Sequence, residues 1–259
     1  MVREKVIFFG NGMLADAALA VISQRCEVIF HAHDKADLEE VKRIKAATPE
    51  AHGILASFGV IIKSDVLEMF EPEGILNIHP SLLPLYRGAS PIESAILAGD
   101  TEFSVSIMKL AREMDAGPIY HQETLMGLPL EKAEIYRALA TAGAEWICDH
   151  LGALPSPVAQ DDSMATFCQK FVKSDGILTP ETDTAEKTLR KIVAFQGWPK
   201  PKFAFYGVFC TILGAHMPEV GERAVLTLPC LDGELAIDFL QPEGRKVMDA
   251  KSFINGYAK

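Results

Sequence analysis

Asn77 and His79 stand two positions apart at the end of an apolar run, Gly74–His79, that predicts a buried β-strand. Because side chains alternate along a strand, both residues project to one face. Pro80 stops the strand, so the pair lies at its carboxyl end, where open α/β sheets usually bind ligands. An amide and an imidazole at such an edge can both donate hydrogen bonds to a developing negative charge. When an Asn or a His occurs alone at a strand end, it more often hydrogen-bonds to backbone groups than takes part in catalysis.

The segments that must position this pair alternate between short apolar runs and helix-prone stretches. Because their connections are short, the pattern predicts βαβ units and an α/β fold with a Rossmann-like, mostly parallel sheet. Two further strands and a long amphipathic helix follow. The predicted strands are Val6–Phe9, Glu27–Phe30, Gly53–Phe58, Gly74–His79, Ser104–Leu110 and Ile119–Leu125. The predicted helices are Ala15–Ser23, Asp37–Ala46, Ser64–Phe70, Ser90–Ala98 and Lys132–Leu151.

A change in composition divides the chain. Residues 152–163 are rich in Gly, Pro, Ser and Asp, which is typical of a linker. Beyond them, Asp183–Glu186 has the spacing of a capping box that opens a helix. We therefore predict domains over residues 1–152 and 177–259, joined by a linker over 153–176. Short apolar runs predict a small β-barrel-like, OB-like fold for the second domain: Val208–Leu213, Ala224–Leu228 and Leu235–Leu240.

The bulk properties narrow the class of protein. A net charge of −10 disfavours nucleic acid as a partner, although residues 177–259 are balanced and the imbalance lies entirely before them. No apolar run approaches the roughly 18 residues of a membrane helix, and no signal peptide is evident. Five scattered cysteines without a CxxC spacing predict reduced thiols, as in a cytoplasm, and no zinc site. His31 and His33 lack an evident third metal ligand. We expect a cytoplasmic monomer without a membrane segment or a metal.

Two motifs around the chemically suggestive residues resemble the signature of the folate-dependent formyltransferases. The first is NIHPSLLPLYRGASPI at 77–92, and the second is MDAGPIY at 114–120. The loop at 57–61 is similar to the one whose backbone borders the pterin in that family. The resemblance implies 10-formyltetrahydrofolate as cosubstrate and three catalytic residues, Asn77, His79 and Asp115. It further implies that the folate is contacted by Phe58, Gly59, Val60, Ile61, Met114 and Gly117.

The chemistry of that family suits these residue types. An amine attacks the formyl carbon, and negative charge develops on the formyl oxygen. Asn77 is expected to donate a neutral hydrogen bond to this oxygen, and His79, kept protonated by Asp115, a charged one. Asp115 is also expected to relay the proton of the amine. Loss of one such donor typically costs on the order of 10²-fold in rate or more.

The C-terminal part is similar to that of the methionyl-tRNA formyltransferases, in segments 166–173, 194–199 and 240–248. This similarity implies the amino group of methionyl-initiator tRNA as the acceptor. In one respect the chain differs: those enzymes carry a long basic loop after the second strand, whereas Phe30 here leads through residues 31–35 directly into a helix. The N-formyltransferases of nucleotide-linked amino sugars share the catalytic set and are the alternative. The expected acceptor contacts are Gly10, Gly12, Arg87, Lys170 and Lys173.

Other functions are less well supported by the sequence. Gly10-Asn-Gly12-Met-Leu-Ala15 matches the G-x-G-x-x-A pattern of a nicotinamide or flavin enzyme. Small residues also tighten any strand-to-helix turn, and in the formyltransferases this turn faces the acceptor. A glycinamide ribonucleotide transformylase would not need residues 177–259. A formyltetrahydrofolate hydrolase typically carries an extra N-terminal domain. A non-catalytic folate- or tRNA-binding module would not need the complete catalytic set.

Overall fold

The computed structural model describes residues 3–258. Its contacts divide the chain into two compact units. The first unit comprises the residues up to Ile92 together with Thr101–Gln169, and the second comprises Glu93–Asp100 and the residues from Lys170 onward. Residues 153–169, which lie within the predicted linker, thus belong to the first unit. No helix of the described residues is long and apolar enough to cross a membrane.

The first unit is built on a six-stranded sheet of order β2-β1-β3-β4-β5-β6. Strands β1 to β4 run parallel and β5 and β6 are antiparallel, which confirms the predicted mostly parallel sheet. The strands are β1 (Lys5–Gly10), β2 (Glu27–Ala32), β3 (His52–Ala56), β4 (Ile75–His79), β5 (Glu102–Lys109) and β6 (Ile119–Met126). The helices are α1 (Gly12–Arg25), α2 (Leu38–Ala47), α3 (Ser64–Leu67), α4 (Pro91–Ala98), whose last residues belong to the second unit, and α5 (Lys132–His150).

The central strands are apolar because helices cover them on both faces. Residues 6–9 of β1 are fully buried, and so are most residues of β4. Gly10 ends β1 where the backbone of β3 approaches closely: a Cβ at this position would lie 1.9 Å from the Ala56 carbonyl oxygen. Strand β3 ends two residues before the predicted Phe58 because Ser57 adopts a positive φ of 52°. These contacts fix the carboxyl ends of β1, β3 and β4 next to one another.

The second unit contains a five-stranded antiparallel sheet of order β11-β10-β8-β7, with β9 paired to β10. Its strands are β7 (Lys202–Phe205), β8 (Val208–His216), β9 (Thr227–Cys230), β10 (Gly233–Pro242) and β11 (Met248–Asp249). Helices α6 (Ala185–Ala194) and α7 (Ala250–Tyr257) accompany the sheet. The predicted small β-barrel-like domain is confirmed, and its sheet is antiparallel. The sequence did not predict β7 or α7, and the predicted run Ala224–Leu228 is three residues too early for β9.

The start of α6 differs in detail from the predicted capping box. Thr184, not Asp183, is the N-cap, and its hydroxyl accepts a hydrogen bond from the Lys187 backbone N–H. The Asp183 carboxylate instead pairs with Lys187 at 2.6 Å and Lys191 at 2.5 Å. These two cations lower the pKa of Asp183, against a desolvation effect that raises it. Much of the positive charge on this helix is therefore neutralised by a carboxylate of the same unit.

We predict a pH-dependent contribution of His216 to stability. At the end of β8, its Nδ1 lies 3.0 Å from Asp238 Oδ2 and its Nε2 lies 3.0 Å from Glu222 Oε1. Hydrogen bonds to Asp238 and then Glu222 raise the pKa of His216 above its ordinary value of 6.5. The stabilisation of the folded state by His216 is therefore complete when the pH is below that ordinary pKa, and it disappears as the pH rises through the raised pKa. Because the side chain is 44% exposed, we expect at most about 1 kcal/mol in total.

The measurement is the free energy of unfolding of wild type and His216→Gln at several pH values. We expect the difference between the two proteins to be largest near pH 6 (about half a unit below the ordinary histidine pKa) and to shrink toward about pH 9. A difference that stays constant over this range would show that the charge on His216 contributes nothing.

Candidate active site

Strand β4 presents Asn77 and His79 at its carboxyl end. Asn77 pairs with Leu55 of β3 and with Met108 of β5, and His79 pairs with Ser106. Both residues are 5% exposed. The Asn77 carboxamide carries two N–H donors. The two-residue spacing on a buried strand thus brings an amide and an imidazole to one edge of the sheet.

The two ring nitrogens of His79 have different surroundings. Nε2 lies 3.2 Å from the Tyr86 carbonyl oxygen, a group that can only accept. Nε2 therefore carries a proton. Nδ1 faces Asp115 Oδ1 at 3.7 Å, which is close enough for an ion pair and too long for a hydrogen bond. The side chains of His79 and Asp115 are 6% and 14% exposed, so any charge on this pair is only weakly screened by solvent.

Asp115 is held by a tight loop between β5 and β6. Its φ is 51°, a left-handed conformation that costs a residue other than glycine on the order of 1 kcal/mol or more. Its Oδ2 accepts a 2.8 Å hydrogen bond from the Gly88 backbone N–H. Gly117 is required two residues later, because a Cβ there would lie 1.8 Å from the Lys109 carbonyl oxygen. The Asp-x-Gly-Pro motif therefore has a steric reason in addition to its chemistry.

The Arg87 side chain, one of the expected acceptor contacts, is buried and paired. The residue is 5% exposed, and its guanidinium donates to Gln160 Oε1 from Nε at 3.1 Å and from Nη2 at 2.7 Å. Nη2 also lies 2.7 Å from Asp162 Oδ1. All of these contacts are within the first unit. This geometry argues against the predicted acceptor contact, since an Arg that is buried and already paired has little capacity left for a phosphate.

Sequence reasoning missed Gln160 entirely. Its Nε2 donates to the carbonyl oxygens of Asp115, at 2.8 Å, and of Gly117, at 2.7 Å. It lies in the segment 153–169, whose composition suggested a linker. That segment packs along residues 84–88 instead, through backbone hydrogen bonds such as Arg87 N–H to the Thr166 carbonyl at 2.9 Å. No local pattern could have indicated a contact over this sequence distance.

The loop at 57–61 combines buried and exposed residues. Phe58 is 3% exposed and packs edge-on against Phe9, with ring centroids 5.6 Å apart. Its side chain is therefore part of the core, and only the backbone of this residue can border a ligand. Val60 is half-buried, whereas the Ile61 side chain is 87% exposed. An exposed apolar side chain of this size next to an active-site edge is a candidate ligand contact.

A cleft of about 250 Å³ opens beside the Asp115 loop. One wall is formed by Leu67 and Glu68 at the end of α3, and the other by Leu110 and Arg112 of the loop after β5. Met114, in the same loop, is 67% exposed. The remaining lining residues are Ser64, Glu71, Lys109, Ala111 and Pro118. Its lining combines apolar residues, such as Leu67 and Leu110, with charged ones, such as Glu68 and Arg112.

The other predicted contacts are not among the residues that line this cleft. Gly10 and Gly12 flank the turn from β1 to α1, and a Cβ on Gly12 would meet no atom within 4 Å. Asn11 closes this turn by donating to the His33 carbonyl oxygen at 2.9 Å. Lys170 and Lys173 are exposed and belong to the second unit. Within the part of the chain that the structure describes, no cluster of His, Cys, Asp and Glu side chains could hold a metal ion.

Comparison with known proteins gives matches over both parts of the chain. Residues 11–151 match the family described as Formyl transferase, and residues 170–258 match Formyl transferase, C-terminal domain. A methionyl-tRNA formyltransferase of Granulibacter bethesdensis is 36% identical over 219 residues, which cover 79% of this chain and 67% of that protein.

Three solved structures share the fold. HypX from Aquifex aeolicus in complex with tetrahydrofolic acid has a TM-score of 0.74 at 18% identity; the match covers 100% of this chain, which spans about half (48%) of HypX. Methionyl-tRNA formyltransferase from Clostridium thermocellum has a TM-score of 0.68 at 19% identity, covering 96% of this chain and 100% of that one. WlaRD, a sugar 3N-formyl transferase, has a TM-score of 0.61 at 16% identity, covering 95% and 100%. At these identities the likeness concerns the fold alone.

Proposed function

The chain belongs to the formyl transferase family, and we propose that it transfers the formyl group of 10-formyltetrahydrofolate to the amino group of methionyl-initiator tRNA. The observation that carries this proposal is the convergence of Asn77, His79 and Asp115 at one edge of the sheet. The family supplies the reaction type, and these side chains supply the groups that the reaction needs. We assign catalysis to the domain over 1–152 and acceptor binding to that over 177–259, in a monomer that acts in the cytoplasm.

The geometry supports a division of labour among the three residues. The amine nitrogen bonds to the formyl carbon, and negative charge collects on the formyl oxygen. The Asn77 amide and the Nδ1–H of a protonated His79 can both donate to this oxygen, since Nε2 is committed to the Tyr86 carbonyl. Asp115 then stabilises the imidazolium and accepts the proton that the amine loses. When the bond from the formyl carbon to N10 of the folate breaks, N10 takes up a proton and tetrahydrofolate leaves.

We place the folate in the cleft beside the Asp115 loop. The exposed Met114 and Ile61 side chains and the backbone at Phe58, Gly59, Val60 and Gly117 would line its path to the catalytic edge. Arg112, whose side chain is 76% exposed and whose nearest carboxylate, Glu68, is 4.0 Å away, stands at the outer rim. The apolar side chains of the cleft suit the flat rings of a pterin, and the Arg112 guanidinium suits a carboxylate.

The acceptor is the less constrained part of the proposal. The connection after β2 is short, since β2 ends at Ala32 and α2 begins at Leu38 after a single 3-10 turn. Several basic side chains of the second unit are paired with acids of that unit, including Arg190 with Glu186 and Lys202 with Glu243. Lys170 and Lys173 remain exposed, and we assign the tRNA phosphates to them, with the amine entering past Gly10 and Gly12. The short connection after β2 favours a nucleotide-linked amino sugar as the alternative acceptor.

Formyl transfer from 10-formyltetrahydrofolate to charged initiator methionyl-tRNA tests the proposal directly. We expect formyl-methionyl-tRNA to form with the wild-type protein and not with Asp115→Ala. Transfer to a nucleotide-linked amino sugar, with no transfer to the tRNA, would exclude the tRNA and support the alternative. No consumption of the folate with either acceptor would contradict formyl transfer altogether.

The salt dependence of binding separates the two acceptors independently of turnover. A tRNA held through phosphates releases counterions, so its affinity falls steeply as salt rises. The logarithm of the association constant falls linearly with the logarithm of the salt concentration, and each phosphate contact contributes about one to the slope. Replacing both Lys170 and Lys173 by Gln should therefore reduce this slope by about 1 to 2. An unchanged slope would remove these two lysines from the acceptor site.

A further inference from the structure

The side chain of Gln160 bridges both ends of the tripeptide that begins with Asp115. A single amide nitrogen, Nε2, donates to the carbonyl oxygens of Asp115 and Gly117, at 2.8 and 2.7 Å. These carbonyls belong to the Asp115–Ala116 and Gly117–Pro118 peptides, so the two bonds fix the direction of these two peptide planes. The loop is thereby clamped from a segment that lies 43 residues or more further along the chain.

Arg87 determines which way the Gln160 amide points. Its Nε and Nη2 can only donate, and they contact Oε1 at 3.1 and 2.7 Å. A rotation of the amide by 180° would place its NH₂ group against the guanidinium and its oxygen against two carbonyls. Arg87 itself is 5% exposed and is anchored by Asp162 Oδ1 at 2.7 Å. The orientation of the donor is therefore set by an anchored, buried cation.

The same network reaches the Asp115 carboxylate by a second route. Gly88, the residue after Arg87, donates its backbone N–H to Asp115 Oδ2 at 2.8 Å. The other carboxylate oxygen, Oδ1, is the atom that faces His79 Nδ1 at 3.7 Å. Because Asp115 has a φ of 51°, its backbone needs external contacts to remain in this conformation. The clamp on its carbonyl and the bond to its carboxylate supply them.

We propose that Gln160, oriented by Arg87, is a positioning residue that holds Asp115 at the distance from His79 that formyl transfer requires. The proposal rests on the proposed function, since it concerns the catalytic set of that reaction. Gln160 touches no reacting atom; it acts only through the Asp115 loop. A misplacement of about 1 Å in such a site can reduce the rate on the order of 10²-fold.

Gln160→Glu is the test, because it keeps the size of the side chain and its contact with Arg87. The carboxylate still accepts from the guanidinium, but it presents an oxygen to the Asp115 and Gly117 carbonyls and repels them. We expect kcat to fall roughly 10- to 100-fold, with the folate KM changed by less than about threefold. In an Asp115→Asn background the same substitution should cost much less, because the residue it positions is already impaired. Gln24→Glu makes the same chemical change at an exposed site of α1 and should leave kcat unaltered.

A second readout does not depend on activity. The Gly88 amide proton is bonded to Asp115 Oδ2, so its exchange with solvent, followed by NMR, reports on the position of that carboxylate. We expect faster exchange at Gly88 in Gln160→Glu and no change in Gln24→Glu. Unchanged exchange at Gly88, or an unchanged kcat in an active enzyme, would overturn the assignment of Gln160. If the wild-type protein transfers no formyl group, the proposed function fails, while the exchange result still decides the role of Gln160.

Discussion

His79→Ala is expected to lower kcat for formyl transfer by about 10²-fold or more while leaving folate affinity nearly unchanged. The imidazole lies at the carboxyl end of β4, with Nε2 fixed by the Tyr86 carbonyl at 3.2 Å and Nδ1 directed toward Asp115 at 3.7 Å. Its removal takes away a charged donor to the oxyanion and leaves Asp115 without the cation that it faces. The cleft assigned to the folate is lined by other residues, so binding should persist.

The measurement combines steady-state kinetics with folate binding followed by fluorescence or calorimetry. His52→Ala is a matched control, because His52 is also a largely buried histidine, 12% exposed, and pairs with Glu73 at 2.8 Å. It stands at the amino end of β3, at the opposite edge of the same sheet, so its loss should leave kcat near the wild-type value. Near-normal turnover by His79→Ala would remove the imidazole from the mechanism. A parallel loss of folate affinity would indicate a binding role instead.

How far the sequence predicts this site depends on the range of the contacts involved. Asn77 and His79 could be placed on one face of a strand end from their spacing alone, because strand geometry is local. The position of Asp115 relative to His79 required a family resemblance, because a loop between antiparallel strands can place its residues in many ways. Gln160 and the burial of Arg87 could not be predicted, since both depend on a segment that has no periodicity of its own.

Charge patterns were similarly informative only in part. In the sequence, Lys187, Arg190 and Lys191 form a cluster of basic residues in α6. In the structure Asp183, just before the helix, pairs with both Lys187 and Lys191. A count of charges within the helix misses such pairing when the acid precedes the helix. It also misses an acid from a distant part of the chain, such as Glu243, which lies in the turn after β10 and pairs with Lys202. The acceptor-binding surface can therefore be identified only from the structure, whereas Asn77 and His79 could be placed at the catalytic edge from the sequence.

Asn77→Ala is expected to reduce kcat by about 10²- to 10³-fold with little loss of stability. The two effects are expected to separate because Asn77 stands near the carboxyl end of β4, where its N–H donors can face the substrate. Truncation to Ala removes these donors and keeps the backbone pairing of this residue with Leu55 and Met108. In the reaction, however, the same amide is one of two donors to the oxyanion.

Thermal unfolding and kinetics of the same variant distinguish the two possible reasons for an asparagine at this position. A structural asparagine would satisfy backbone groups, and its truncation would lower stability by on the order of 1 to 3 kcal/mol, with activity reduced only in proportion to the folded fraction. Truncation of an oxyanion donor should instead lower kcat strongly and leave the stability nearly unchanged. Asn77→Asp sharpens the contrast, because it preserves the shape and replaces a donor by a negative charge, which repels the developing oxyanion. If Asn77→Asp retained wild-type turnover, the formyl oxygen could not lie against this side chain, and His79 alone would have to stabilise the charge.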